Sequence, residues 1–556
     1  MKMTLGVKCF FWLLHPMCLK IYKMRYKYME YINPIISGFY PDPSICRVGD
    51  DFYLVNSSFE YFPGIPVFHS KDLINWEQIG HCISRPEQLT LRQGVPNCVG
   101  IYAPTIRYHE GIFYVISTNV ACGGKDEGNF IVWTDNPYGE WSDPVFIDLP
   151  GIDSSLFFDD DGRVYYTGAF DNGIFISELK FSYKYDENGR VTDMSCDVVS
   201  DRKVIWNGTG GNDPEGPHLY KINGWYYLLI SEGGTEFCHM ITIARSRDIL
   251  GEYESCPRNP VCSNRSTSLP IKGTGHMDIV CDKFGDWWGV CLGNRPITYP
   301  FKHNLGRETF LVPMVWDEGG WPVIGRDGLL DEKIETDRKL LSGVVQKSMT
   351  DEGKYFHDDF KGDKLKQDWN FIYNTTSKYA SLDKDGGLLL YGTKSSVISS
   401  DEAAWVGYRQ KHHEFTAETC IEFGDIFDGG EAGLSVYMNN KHHYELAVTV
   451  IEGVKWLIFR RCIGSLINEE KITTLNNDTV RVRLEALKNE NGENIYCFSY
   501  NKDENWIKAG EGEAAYLTTE VGGKFTGNYI ALYASGNGKE NMKAVKFDMF
   551  DYKGMI

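Results

Sequence analysis

Five segments of this chain repeat one pattern: a turn residue, a pair of aromatics, then an apolar run. The pairs end at Tyr53 in GDDFYLV, Tyr114 in EGIFYVI, Tyr166 in DGRVYYTG, Tyr227 in NGWYYLLI and Trp288 in GDWWGVCL, so they recur at 61, 52, 61 and 61 residues. Gly, Asn or Asp just ahead of a β-rich run is hairpin chemistry. Nothing between the segments reads as a long amphipathic helix. Repeats of this length, each holding several short strands, predict radial blades, and five of them predict an all-β, five-bladed propeller spanning residues 29–330.

A second pattern runs in step with the first. Nine to thirteen residues ahead of each pair sit PDPSI (Asp42), APTIR (Thr105), IDSSLF (Asp153), PEGPHLY (Glu215) and GHMDIV (His276). If the aromatic hairpin joins the first two strands of a blade, each motif opens the first strand, which in a propeller lines the central channel. Asp42, Thr105, Asp153, Glu215 and His276 then converge on one channel mouth. Three carboxylates there repel one another and resist burial, so they call for a purpose.

After Arg326 the pattern stops. Residues 331–355 read as a polar linker. Residues 356–556 alternate as strands with turns at Asn439-Asn440, Asn491-Gly492 and Gly522-Gly523, which reads as a β-sandwich. With 42% hydrophobic and 24% charged residues the chain can build real cores, and 556 residues suit more than one domain. Aromatics reach 14%, which suits strands first and a sugar-stacking cleft second. A net charge of −19 argues against a nucleic-acid partner and is compatible with a neutral glycan. The 15 cysteines form no CxxC pair, so they read as core-filling thiols in a reducing, cytoplasmic setting. Residues 1–28 begin basic with a short apolar stretch, Cys9–Leu14, interrupted by His15-Pro16 and followed by no small-residue cleavage site. They read as an extension ahead of a start near Met24 or Met29; export is the alternative if they act as a signal peptide. The apolar stretch is too short to span a bilayer.

Glycoside hydrolysis needs two carboxyls flanking the scissile bond, one protonated to assist the leaving oxygen and one ionised to activate water. A third acid nearby helps to keep a proton in place. The segments NPIISGFYPDPSI, SSFEYFPGIPVFHSKDLINW, GIYAPTIRY, GIDSSLFFDDDG, GTGGNDPEGPHLYKINGWYYLL, EGGTEFCHMITIARS, GTGHMDIV and LGRETFLVPMVWDEGGWPVI together resemble glycoside hydrolase family 43. The later residues resemble the concanavalin-like, jelly-roll sandwich of its β-xylosidase-type members. The resemblance implies an exo-acting, inverting enzyme that releases terminal xylose from xylo-oligosaccharides, with removal of α-L-arabinofuranosyl branches from arabinoxylo-oligosaccharides as the alternative. It implies Asp42 as general base, Glu215 as general acid and Asp153 as the residue that tunes and orients the acid. Phe59, Tyr102, Arg295 and Phe525 are implied as substrate-binding, the last from a sandwich loop, GGKFTGNY, that reaches the active-site rim. His276 resembles an axial histidine beside a bound calcium or water; a calcium there would be structural, and no cofactor is required for the chemistry. The sequence departs from many members at Tyr102, Thr105 and Ser154, where Trp, Asp and Pro are common, which bears on pocket shape and not on the acids.

Other chemistries find less support. No GxGxxG or GxxxxGK[ST] element is present to hold phosphates. Ser57-Ser58 lacks a nucleophile elbow. His412-His413 and His442-His443 read as surface residues, because neighbours in a strand face opposite ways. Glu232-Gly233-Gly234-Thr235 is expected to support the pocket from behind. A non-catalytic glycan-binding propeller, or a protein-binding one, has no use for three close acids. Self-association into a homo-oligomer is an open expectation.

Overall fold

The computed structural model describes residues 29–555 apart from 92–93, 122, 374–375, 400, 425 and 540–542, so the extension expected at 1–28 lies outside the described residues. Five antiparallel sheets follow one another along the chain. Their first strands are Ser44–Val48, Thr105–His109, Ile152–Phe158, Glu215–Ile222 and Lys272–Cys281; their second strands are Asp51–Val55, Ile112–Val120, Val164–Phe170, Trp225–Glu232 and Trp287–Asn294. The aromatic pairs thus lie on second strands, as the repeat predicts, and the polar motifs open or immediately precede the first strand in blades one to four and lie within it in blade five.

Why each blade carries a pair, and not a single ring, follows from strand geometry. Successive side chains point to opposite faces, so each pair serves both neighbouring blades. Phe52 packs toward blade five with Trp288 and Leu311, while Tyr53 packs toward blade two, 4.8 Å from Phe113. Tyr114 shares a core with Tyr166 of blade three, Tyr165 shares one with Leu219 and Leu228 of blade four, and Tyr227 shares one with Met277 and Ile279 of blade five. At about 1.5–3 kcal/mol for each buried large side chain, the pairs supply much of the cohesion between blades.

The ring is tied off at its ends. Strand Met29–Ile32 pairs with Lys333–Thr336, inside the segment expected as linker, and the Tyr31 hydroxyl donates to the carbonyl of Leu311 at 3.0 Å.

The sandwich consists of two eight-stranded sheets around one apolar core. One sheet takes its last strand from the propeller: Tyr61–Phe62 pairs with Trp369–Ile372 (Phe62 against Phe371, Tyr61 against Ile372). That sheet is covered on both faces, by the sandwich core on one side and by Phe39, Phe59 and Tyr61 of the propeller on the other. Strands Glu431–Asn439 and Tyr529–Ser535 are therefore buried along their whole length. The double cover corrects the surface reading of the histidine pairs. His442 and His443 are buried in strand His442–Ile451, and His412 and His413 are half-buried under the sandwich. Among the described residues, no helix is long and apolar enough to cross a membrane.

Candidate active site

The channel-mouth residues owe their aim to a backbone irregularity that four blades share. Asp42, Asp153 and His276 have φ of 53°, 55° and 49°, and Gly216, beside Glu215, has 58°. Left-handed φ is uncommon outside glycine and gathers at functional sites. In blades three to five the pairing register shifts at these points, between Ile152 and Ser155, between Glu215 and His218, and on both sides of Gly275. A bulge re-aims a side chain that regular pairing would direct elsewhere. At Gly216 a Cβ would stand 3.0 Å from the His276 ring, so the fourth blade carries its acid one residue earlier.

Asp42 is buried and held on every side. Arg307 Nη1 donates to Oδ1 at 2.7 Å and Nη2 to Oδ2 at 3.2 Å, Ser57 Oγ donates to Oδ2 at 2.5 Å, and His276 Nδ1 lies 3.8 Å from Oδ1. Burial alone would raise this carboxyl, but Arg307, His276 and the Ser57 hydroxyl outweigh it and hold it below the usual range. Asp153 is its opposite. Also buried, it accepts only one long bond, from Gly216 N at 3.3 Å. Burial, then the charges of Glu215 and Asp42, raise it well above the usual range. Glu215 is partly open, with Oε1 3.1 Å from Nε2 of the buried His239, a close approach off the hydrogen-bonding direction. One mouth thus holds a carboxyl kept low, Asp42, and a carboxyl kept high, Asp153.

The aromatic wall comes from both domains. Phe59 stacks on Phe525 at 5.8 Å with 27° between planes and lies 5.2 Å from Tyr102; the Arg307 guanidinium sits 5.7 and 5.6 Å from the Phe59 and Phe525 rings. Phe525 arrives because two loops dock almost backbone to backbone. A Cβ on Gly306 would stand 2.9 Å from the Cα of Gly527, and Asn528 N donates to Asn304 O at 2.9 Å. His303 and Glu520 close the same junction at 2.6 Å. Beside this wall opens a cleft of about 700 Å³ lined by Asn212, Asp213, Thr235, Arg307, Glu520 and Phe525.

Of the expected substrate-binding residues, Phe59, Tyr102 and Phe525 come together and Arg295 does not. Arg295 pairs with Glu308 at 2.7 and 2.9 Å and faces a different cleft, between propeller and sandwich, with His412 and His413. The arginine at the acids is Arg307, which the sequence reading passed over although it stands in the quoted LGRETF. Ser57 was weighed only as a nucleophile, and His239 was not singled out. The signal for His239 was a lone histidine in the run FCHMITI. Thr105 turns aside and donates to Ser154 O at 2.9 Å, joining blades two and three. Glu232, fully buried, accepts from Thr209 N, Gly211 N and Thr242 Oγ1 and so fixes the loop that leads to Glu215, while Thr235 Oγ1 accepts from Arg307 Nη1.

Calcium prefers six to eight oxygen ligands. His276 offers a nitrogen, its nearest carboxylate is already committed to Arg307, and among the described residues no group of three His, Cys, Asp or Glu converges to hold a metal. The side chains present do not fit a calcium cage.

A five-bladed propeller with one carboxyl held low and one held high at the same channel mouth suits a glycosidic-bond hydrolase. Residues 31–322 match the glycosyl hydrolases family 43, and residues 357–553 match the β-xylosidase C-terminal concanavalin A-like domain. The chain is 40% identical over 524 residues to a non-reducing end α-L-arabinofuranosidase of Bacteroides ovatus, covering 94% of each chain. It is 38% identical to a xylosidase/arabinosidase of Butyrivibrio fibrisolvens, covering 93% of this chain and 98% of that one. A solved xylan β-1,4-xylosidase of Bacillus halodurans superposes with a TM-score of 0.82 at 31% identity, over 94% of this chain and 99% of the other. The chain belongs to glycoside hydrolase family 43. It is an O-glycosidase, and the family's hydrolysis is carried by carboxyl groups without a cofactor.

Proposed function

We propose that the enzyme removes single pentose residues, xylose or α-L-arabinofuranose, from the non-reducing ends of xylan-derived oligosaccharides, with inversion at the anomeric carbon. The observation that carries this is the wall at Phe525: a ring from the second domain stacks on Phe59 beside Arg307, the partner of Asp42, a placement that suits a subsite for one terminal sugar. The names of the relatives support both pentoses. In this reading Asp42, kept ionised by Arg307, takes a proton from the attacking water, Glu215 gives one to the leaving oxygen, and Asp153, which accepts from Gly216 N, orients the adjoining Glu215. Aryl β-xyloside and aryl α-L-arabinofuranoside turnover, with Asp42→Asn as control, tests the assignment. The expected products from xylo-oligosaccharides are monosaccharide only, with inverted configuration by proton NMR. Internal fragments, or a retained anomer, would overturn it.

A further inference from the structure

Glu60 lies next to Phe59 and plays no part in the chemistry above. It is 5% exposed and takes part in no ion pair among the described residues. Both of its carboxylate oxygens receive one backbone N–H, that of Cys98, at 3.3 and 3.2 Å. Cys98 is a junction. Its carbonyl accepts the Tyr102 hydroxyl at 3.2 Å, its sulfur accepts Phe525 N at 3.5 Å, and the same sulfur lies 3.7 Å from Thr526 Oγ1. The backbone of Phe59 bonds reciprocally to Ile101, and Gly100 packs so closely that a Cβ there would stand 2.5 Å from the Phe59 carbonyl. Through one amide, then, Glu60 touches the support of Tyr102 and Phe525, and it follows the third ring, Phe59, directly in the chain. The Glu60 carbonyl also receives Tyr373 N at 2.8 Å, which fastens the sandwich edge to the same point.

We propose that Glu60 is a positioning residue whose carboxyl locks the Cys98 junction, so that its ionisation loosens the Phe59–Tyr102–Phe525 wall and weakens substrate binding without altering the chemical step.

The surroundings make the charge costly. The titratable groups that bear on Glu60 are the thiol of Cys98 and the phenols of Tyr61, Tyr102, Tyr373, Tyr437 and Tyr529, all held neutral by burial. The nook around it is formed by Leu91, Val99, Gly100, Val120, Ala121 and Tyr373. Burial pushes the Glu60 carboxyl up to about 7, against the partial relief of the Cys98 amide. Below that pH a neutral acid fits the nook. Above it an anion with no cation beside it among the described residues must draw in water, and the 97–102 segment is what has to move.

The inference rests on the proposed pentosidase reading, and two measurements keep their failures apart. Glu60→Gln keeps an oxygen for Cys98 N and cannot ionise. If only the neutral form holds the wall, KM on the aryl pentoside rises about tenfold in the wild type between about pH 6 and 8, while KM of the variant stays flat and kcat of the two enzymes runs parallel. Equal pH dependence of KM in both overturns the proposal. Should the variant not fold, a wild-type KM that is flat over that range overturns it equally. Thermal melting requires no substrate. A carboxyl raised on folding adds stability below its unfolded value and loses it as pH rises through its folded value. The wild type therefore loses melting temperature relative to Glu60→Gln between about pH 4.5 and 7. A difference that does not change with pH overturns the proposal. Absence of any pentoside turnover by the wild type would instead sink the functional reading and leave the melting comparison to decide whether Glu60 titrates.

Discussion

Arg307 grips Asp42 with both terminal nitrogens, at 2.7 and 3.2 Å, and the pair is buried at the channel mouth. Taking the cation away would leave a buried carboxylate with only Ser57 and a distant imidazole, and burial would then push its proton affinity up. Arg307→Gln should move the acidic limb of the kcat/KM profile to higher pH and lower its plateau. Asp42→Asn should cost on the order of 10²–10⁴ in kcat, the usual yield of a general base, on activated and natural glycosides alike. A pH–rate profile of each variant checks both. An unmoved acidic limb in Arg307→Gln would mean that another group sets it.

Asp153 should reveal itself in stability as well as in rate. Its carboxyl is raised by burial and by Glu215 and Asp42, so it favours folding at low pH and opposes it progressively as pH rises from the ordinary carboxylate range toward its raised value. Asp153→Asn removes that burden. Its melting temperature should exceed that of the wild type near neutral pH, with the gap shrinking in acid. Activity should fall at the same time, and the basic limb, to which the raised Asp153 carboxyl contributes, should shift to lower pH. Calorimetry at two pH values and one rate profile decide this; a less stable Asp153→Asn at neutral pH would contradict it.

The fold was legible because propeller blades write themselves locally. Each aromatic pair reflects the period-2 geometry of one strand facing two neighbours, and that survives in a single sequence. The acids were legible for the same reason, since Asp42, Asp153 and Glu215 stand near equivalent points of repeats one, three and four. Arg307 was not. It belongs to the loop before strand Glu308–Trp316, outside the repeated register, and it reaches Asp42 across 265 positions of sequence. Arg295 and Arg307 are both lone arginines near the same blade. Only the fold shows that Arg295 turns to Glu308 and the domain boundary while Arg307 turns to the channel. The histidine pairs misled because strand alternation assumes one wet face, and where His442 and His443 stand the sheet is buried on both.

Phe525 belongs to the sandwich yet completes a propeller pocket, so the two domains should behave as one catalytic unit. Phe525→Ala removes a stacked ring from Phe59 and a cation–π partner from Arg307. Interactions of this kind are worth about 0.5–1.5 kcal/mol each, so losing both predicts a rise in KM on the order of 5- to 150-fold. Removing residues 356–556 should be worse than that. It strips the cover from Phe39, Phe59 and Tyr61 and should leave an insoluble propeller. A soluble truncated enzyme with unchanged KM would show that the sandwich is an accessory.

The division of labour between the two reacting carboxyls is best tested through the leaving group. Glu215 stands on the partly open side of the mouth, 3.1 Å from His239, where a departing aglycon can reach it, whereas Asp42 is enclosed with Arg307 and Ser57. An acid matters in proportion to how poorly the leaving oxygen carries negative charge. A nitrophenolate hardly needs a proton; a sugar alkoxide cannot leave without one. Glu215→Gln should therefore retain much of its activity on nitrophenyl pentosides and lose on the order of 10²–10⁴ in kcat on xylobiose or an arabinosylated oligosaccharide. Asp42→Asn removes the group that activates water, which every substrate needs, so it should depress both kinds together. Rates of the two variants on one activated and one natural substrate give a double ratio. A ratio far from one places the acid at Glu215 and the base at Asp42; a ratio near one would mean that the two carboxyls do not have the separate roles that their surroundings give them.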